Sequence, residues 1–356
     1  MHRFDYSEIL GDIPQDIAKM LADIAGIRSL ECIRRAKYPK DYARMEEIAK
    51  LASVKYSNEI EGIVTSDERI REIVMRGGTP NNHSEEEIAG YRDALDLIHT
   101  ETESLGFNRD TILNLHSMLR TKRSDRHAYK DRDNAIISID ASGKRHIVFE
   151  PVPASETEDS MEQLCLAYQE LSTQGYEPLL YIPCIILDYL CIHPFLDGNG
   201  RISRLLTVLL LYKEGIDICR YVSMDEHISF TKSDYYDSLQ KSSVGWRENR
   251  WTYFPFIRYF LRTLLECFID IDTRFAIVDG EGVGRKQTVE NVLMKSSAPM
   301  SLKQDTYGPQ GRQHIHHTES SEETDVRGQD RKDRQYQRRA LYLQTLNNCS
   351  AFPFCP

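Results

Sequence analysis

Apolar residues return at three- and four-residue steps along the first third of the chain. Ile13, Ile17, Met20, Leu21 and Ile24 form one such series, Met45, Ile48, Leu51 and Ala52 a second, and Ile88, Tyr91, Leu95 and Ile98 a third. That is the period of a helix with one buried face, so residues 1–84 read as a small helical layer. The run Gly77-Gly78-Thr79-Pro80-Asn81-Asn82 interrupts the pattern with turn formers. Ser84 and Glu87 then have the spacing of a capping box at the start of the next helix. Further helices are predicted over 112–119, 161–171, 179–192, 200–212 and 254–268, enough for five or six to bundle around one core. The expected fold class is mainly α.

One stretch breaks the helical period. Residues 135–140 and 144–149 are two β-prone runs around Ala141-Ser142-Gly143, and Pro151 and Pro153 close the segment. A lone two-stranded hairpin is marginal in water, so this one must lean on the helices or serve as a flap. Toward the C-terminus the character changes again. Residues 287–303 look like the opening helix and turn of a winged helix-turn-helix, and the region 280–304 is assigned to its start. From Lys303 to Arg339 only Ile315 and Val326 are aliphatic and branched, so 305–356 reads as a disordered tail. Two accounts of this truncated winged helix stay open. One is a natural flexible tail. The other is a reading-frame slip: recoding Thr318 to Tyr342 in a shifted frame can give an amphipathic helix and two short strands joined by a polar turn, the parts the winged domain lacks.

Composition narrows the classes. The chain has 356 residues, 40% apolar and 28% charged, which excludes fibrous and wholly disordered proteins. Its net charge of −10 provides no basic field for a nucleic-acid backbone, so DNA is not an expected partner of this chain as given. Eight cysteines without a C-x-x-C pair indicate neither a zinc site nor a disulfide framework, and a cytoplasmic location is expected. No signal-like stretch opens the sequence, and the most apolar segment, 179–195, is interrupted by Asp188 and His193, so no membrane partner is expected.

The chemistry concentrates in residues 193–204, His-Pro-Phe-Leu-Asp-Gly-Asn-Gly-Arg-Ile-Ser-Arg. Pro194 disfavours helical geometry at His193, so the apolar helix before it should end there and leave the imidazole at its tip. Asp197-Gly198-Asn199-Gly200 is a turn with bare amides directly before a new helix, which makes an anion site. Arg201 and Arg204 share a face of that helix and suit a polyphosphate. Asp197 beside the nest suits Mg²⁺ shared with phosphate. His193 can be neutral near physiological pH and can take a proton from an attacking hydroxyl.

This segment resembles the H-P-F-x-D-G-N-G-R-x-x-R signature of Fic-domain proteins at every specified position, and the similarity in helix order covers roughly 85–270. The resemblance implies a Fic-type helical bundle with a β-hairpin flap, occupying 85–270 as the catalytic domain. It implies protein AMPylation, the transfer of AMP from ATP to a Ser, Thr or Tyr hydroxyl of a target protein with release of pyrophosphate. By position, His193 would be the base and Asp197 the Mg²⁺ ligand. Gly198, Asn199 and Gly200 would hold the phosphates, with Asn199 on the α-phosphate, and Arg201 and Arg204 would meet the β- and γ-phosphates. His146, Ile147, Val148 and Phe149 would line the flap on which the target docks. Tyr235, the first of a tyrosine pair, would lie near the adenine; where the family often carries Asn eight residues later, this chain has Ser243. ATP and Mg²⁺ are thus the expected cofactors. A hydroxyl-bearing target protein, the chain itself as a target, and a second copy in a homodimer are the expected partners. Relatives that move another group or remove AMP, and a DNA-associated regulator using the winged region, are the alternatives.

Upstream, Ser57-Asn58-Glu59-Ile60-Glu61-Gly62 fits the family's inhibitory pattern of Ser or Thr, three residues, Glu, then Gly or Asn, as in the class with an N-terminal inhibitory helix. Locally, Gly62 reads as the stop of a helix running from about Tyr42, and a carboxylate in a helix's last turn opposes the macrodipole. Glu61 therefore needs another partner. If that partner is Arg204, ATP is held unproductively.

Overall fold

The computed structural model describes residues 2–119, 128–139 and 145–280. Among the described residues the chain is mainly α-helical, with one small hairpin. After a single turn, α1 (Ser7–Leu10), come two long helices, α2 (Gln15–Lys37) and α3 (Pro39–Ile60), then α4 (Asp67–Arg76). Residues 77–82 are non-helical, as their turn formers dictate, and Gly77 takes a left-handed φ of 65° behind α4. The following helix, α5 (His83–Glu101), is capped by Asn82, whose side chain accepts the Glu85 N–H, and not by Ser84. The capping spacing misleads because Glu87 is drawn inward to an arginine 114 positions later, as shown below. α6 (Arg109–Met118) precedes the hairpin of β1 (Ile136–Ile139) and β2 (Arg145–Phe149).

The hairpin is antiparallel, pairing Ile137 with Ile147 and Ser138 with His146, and an irregularity beside Ile136 shifts the register. It leans on the bundle through β2, which packs against α11 (Lys232–Ser243). The turn at 141–143 lies outside the described residues, as does the tail 305–356. Of the winged-helix-like start at 280–304, only Gly280 is described, and it ends α12 (Phe254–Gly280), which runs twelve residues past its predicted limit.

At the centre lies α8 (Pro178–Ile192), apolar on all sides and surrounded by α7 (Ala154–Thr173), α9 (Asn199–Lys213), α11 and α12. A helix apolar all round belongs in a core. Its one acidic residue, Asp188, is fully buried and accepts hydrogen bonds from Tyr6, Trp246 and Tyr253 at 2.8, 2.7 and 3.0 Å. The N-terminal helices do not stand apart from the bundle: α2 packs along α12, and α3 packs on α5 and on α10 (Met224–Phe230). That interleaving brings the end of α3 to the start of α9. No helix among the described residues is long and apolar enough to cross a membrane.

Candidate active site

α8 ends at Ile192, and His193 takes left-handed angles, φ 52° and ψ 61°, the conformation Pro194 leaves open once the helix is refused. Its Nδ1 lies 3.2 Å from the Leu190 carbonyl, and a carbonyl only accepts, so Nδ1 carries the hydrogen and Nε2 the lone pair. Burial lowers the imidazole pKa to about 4, against the Leu190 hydrogen bond and with help from the Lys130 cation. The ring is therefore neutral at pH 7 and can act as a base.

Three residues outside the motif hold this loop, and the sequence reading did not find them. Lys130 donates from Nζ to the Ile192 carbonyl at 3.1 Å and from its backbone N–H to the Pro194 carbonyl at 2.8 Å. Burial lowers its own pKa to about 8. Asn134 Nδ2 donates to the Phe195 carbonyl at 2.9 Å. His116 stacks flat on Phe195, ring centroids 3.7 Å apart, and its Nε2 lies 3.1 Å from the Asp197 carbonyl. No local pattern marks these residues as partners, because each meets the loop only through packing.

Behind the loop, Gly198 has a φ of 84°, open to a residue without Cβ, and α9 starts with no side-chain cap. The first amides of the helix thus lack intrahelical partners. Asn199 is buried and spends its side chain on Phe195, accepting its N–H at 3.0 Å and donating to its carbonyl at 2.7 Å, so only its backbone faces the nest as a donor. Asp197 is exposed, and its Oδ1 accepts the Gly198 N–H at 2.7 Å. The other oxygen is not engaged in that bond. One carboxylate beside a phosphate nest fits Mg²⁺, which commonly binds one or two carboxylates plus substrate phosphates.

The two arginines part company. Arg201 is 1% exposed and forms an ion pair with Glu87 on α5 at 2.5 Å. Arg204 is also buried and belongs to a network. Its Nε donates to Ser57 Oγ at 2.8 Å, its Nη2 to the Ser57 carbonyl at 2.8 Å and to Glu61 Oε1 at 2.9 Å, and Asp225 Oδ1 lies 3.4 Å from Nε. Burial opposes its charge, but Glu61 and Asp225 outweigh it and keep the guanidinium protonated. Its Nη1 is buried without a hydrogen-bond partner among the described residues and lies 3.3 Å from the position a Cβ on Gly200 would occupy.

Ser57 and Glu61 reach Arg204 because α3 runs from Pro39 to Ile60 and then stops. Gly62 turns left-handed at φ 79°, its N–H bonds the Glu59 carbonyl, and the Ile63 N–H bonds the Asn58 carbonyl. Lys232 on α11 donates to the Ile60 carbonyl at 2.5 Å, fixing the end of α3. Of the tyrosine pair, Tyr235 is buried beside Arg204 among Phe256 and Tyr259, while Tyr236 exposes 44% of its surface. On the hairpin, His146, Ile147 and Val148 are exposed and Phe149 is half-buried.

This helical core, with a histidine at the end of one helix and bare amides at the start of the next, is a Fic-type fold. Similar solved structures share it. A Fic family protein from Desulfovibrio desulfuricans G20 superimposes with a TM-score of 0.61 at 19% identity, over 79% of this chain and 85% of that one. A Fic domain containing signaling protein from Bacteroides thetaiotaomicron VPI-5482 gives 0.56 at 23% identity, over 72% and 94%. Fic-1 from C. elegans gives 0.55 at 21% identity, over 71% and 70%. Residues 106–211 match the model of the Fic/DOC family, so the chain carries a Fic/DOC family domain. That match includes the hairpin and residues 193–204; Ser57, Glu61, Asp225 and Tyr235 lie outside it.

Proposed function

We propose that this protein is a self-inhibited protein AMP transferase that moves AMP from ATP to a Ser, Thr or Tyr hydroxyl of a target protein. The observation that carries the reading is the unpartnered Nη1 of Arg204, buried and facing the bare backbone of Gly200 at the start of α9. A guanidinium donor beside helix-start amides is built for phosphate oxygens. In the reaction, His193 Nε2 takes the proton of the target hydroxyl. The oxygen attacks the α-phosphorus, the bond to the bridging oxygen of the β-phosphate breaks, and pyrophosphate leaves. Amides of the nest and Arg204 stabilise the charge that gathers on phosphate oxygens. Asp197 would hold Mg²⁺, which neutralises phosphate charge when bound. The exposed hairpin residues His146, Ile147 and Val148 would receive the target by strand pairing. Tyr236 offers the open ring of the tyrosine pair to the adenine, with Tyr235 supporting it from below.

Glu61 is the brake in this reading. Its carboxylate lies against Gly200 and engages Arg204, in the space a productively held triphosphate needs. The six cysteines of the described residues are free thiols, and we place the protein in the cytosol, where ATP and reduced thiols occur together. Incubating wild type, Glu61→Gly and His193→Ala/Glu61→Gly with ATP, Mg²⁺ and lysate, then weighing the modified proteins, tests the proposal. An AMP-sized adduct should rise strongly in Glu61→Gly and vanish without His193. No adduct in Glu61→Gly would remove the transferase, and equal labelling in wild type would remove the brake.

A further inference from the structure

Arg204 is paired with two carboxylates that differ in kind. Glu61 closes the last turn of α3, its side chain is 31% exposed, and it has solvent to move into. Asp225 sits in the first turn of α10, its side chain 4% exposed, with Oδ1 3.4 Å from Nε, whereas Glu61 meets Nη2. Ser57 and Ser53, both on α3, favour the ionised Asp225 carboxylate, and Ser53 donates to Ser223, the cap of α10, at 2.9 Å. Burial raises the pKa of Asp225 to about 6, and Arg204 opposes that rise, so at pH 8 the group is an anion. Nothing in the chemistry of the transfer calls for this second acid.

The electrostatics of release do call for it. A buried guanidinium stripped of its only carboxylate is costly, and Glu61 must leave Arg204 before a triphosphate can use it. We infer that Asp225 is the standing counter-ion of Arg204, a positioning residue that keeps the guanidinium compensated on its Nε side when Glu61 withdraws and that limits how tightly Arg204 holds any incoming phosphate. The inference rests on the reading of Glu61 as a removable occupant of the nest. It adds to that reading a residue that sets the strength of the phosphate grip. With Asp225 in place, Glu61 and phosphate exchange on an arginine that is never bare. Without it, Arg204 depends wholly on whichever of the two is present.

The sign of the effect separates this role from a structural one. Damage to the fold would weaken ATP binding, whereas loss of a counter-ion strengthens it. The test uses wild type, Glu61→Gly, Asp225→Asn and the double variant of the full chain, at pH 8. Thermal unfolding without nucleotide should show a larger loss from Asp225→Asn in the Glu61→Gly background than in wild type, because only there does the substitution leave Arg204 without a carboxylate. Calorimetric titration with ATP and Mg²⁺ should show binding about tenfold tighter in the double variant than in Glu61→Gly, with a lower kcat because pyrophosphate is also held. Equal thermal losses in the two backgrounds, or weaker ATP binding in the double variant, would overturn the inference. Should the double variant not fold, Asp225→Ser in the Glu61→Gly background gives Nε a neutral hydroxyl and reads the same two quantities. Unfolding and binding need no transfer chemistry, so a Glu61→Gly protein that labels nothing yet shows this coupling would refute the transferase and leave the counter-ion standing.

Discussion

Glu61 Oε1 occupies the space in which a side chain on Gly200 would begin, 2.3 Å from the Cβ it would need. In the proposed reaction the carboxylate and a phosphate would therefore require the same bare stretch of backbone. Gly200→Ala is expected to push Glu61 away from Arg204 without creating an active enzyme, since the added methyl also obstructs the triphosphate. Transfer from labelled ATP should stay about a hundredfold below that of Glu61→Gly. Matching activity in the two variants would show that the nest is not shared.

The His193 imidazole is held near pKa 4, first by burial, with the Leu190 carbonyl opposing and the Lys130 cation reinforcing the shift. Its proton-accepting neutral form thus persists well below the ordinary histidine value of 6.5. For Glu61→Gly, kcat should stay level from about pH 7 down to about pH 5.5. A rate that halves near pH 6.5 would mean the ring is open to water when it works.

Lys130 bonds the loop on both sides of His193, at the Ile192 and Pro194 carbonyls. Lys130→Met keeps the stem but removes the ammonium from the end of α8. In the Glu61→Gly background it should lower kcat by about ten- to a hundredfold with little change in the KM for ATP, because the base is displaced and the nest is not. An unchanged kcat would show that Pro194 alone fixes the turn.

Asp188 illustrates pH linkage in the core. Burial raises its pKa from 3.8 to about 7 against the pull of Trp246, Tyr6 and Tyr253. A carboxyl whose folded value lies above its unfolded one contributes stability that is full below the unfolded value and is lost as pH rises through the folded value. Wild type should therefore lose stability relative to Asp188→Asn by about 1 kcal/mol per pH unit as pH rises from about 4 to about 7, and lose no more above that. Parallel stability-versus-pH curves for the two proteins between about pH 4.5 and 6.5 would refute the assignment.

Much of the loop at residues 193–204 was legible because its determinants are local. Pro194 refuses the helix at His193, Gly198 accepts a positive φ, and the leucines of α9 hold in the core the side of the helix away from the two arginines. The hairpin was legible for the same reason, as was the end of α3 at Gly62. Where spacing misled, a distant partner had taken the residue: Glu87 pairs with Arg201 and leaves the cap to Asn82. The short helix α10 was missed, although Ser223 with Glu226 three residues on has capping-box spacing and forms the expected bond.

The sequence by itself determined where helices stop and start around residues 193–204, because backbone angles at proline and glycine are set by covalent geometry and local sterics. Only the tertiary structure decided how the two arginines differ, one closed against Glu87 and one shared among Ser57, Glu61 and Asp225. The physical reason is that a buried cation must find its counter-charge wherever packing delivers one. Here packing delivers it from α3, α5 and α10, elements whose separation along the chain carries no local signal.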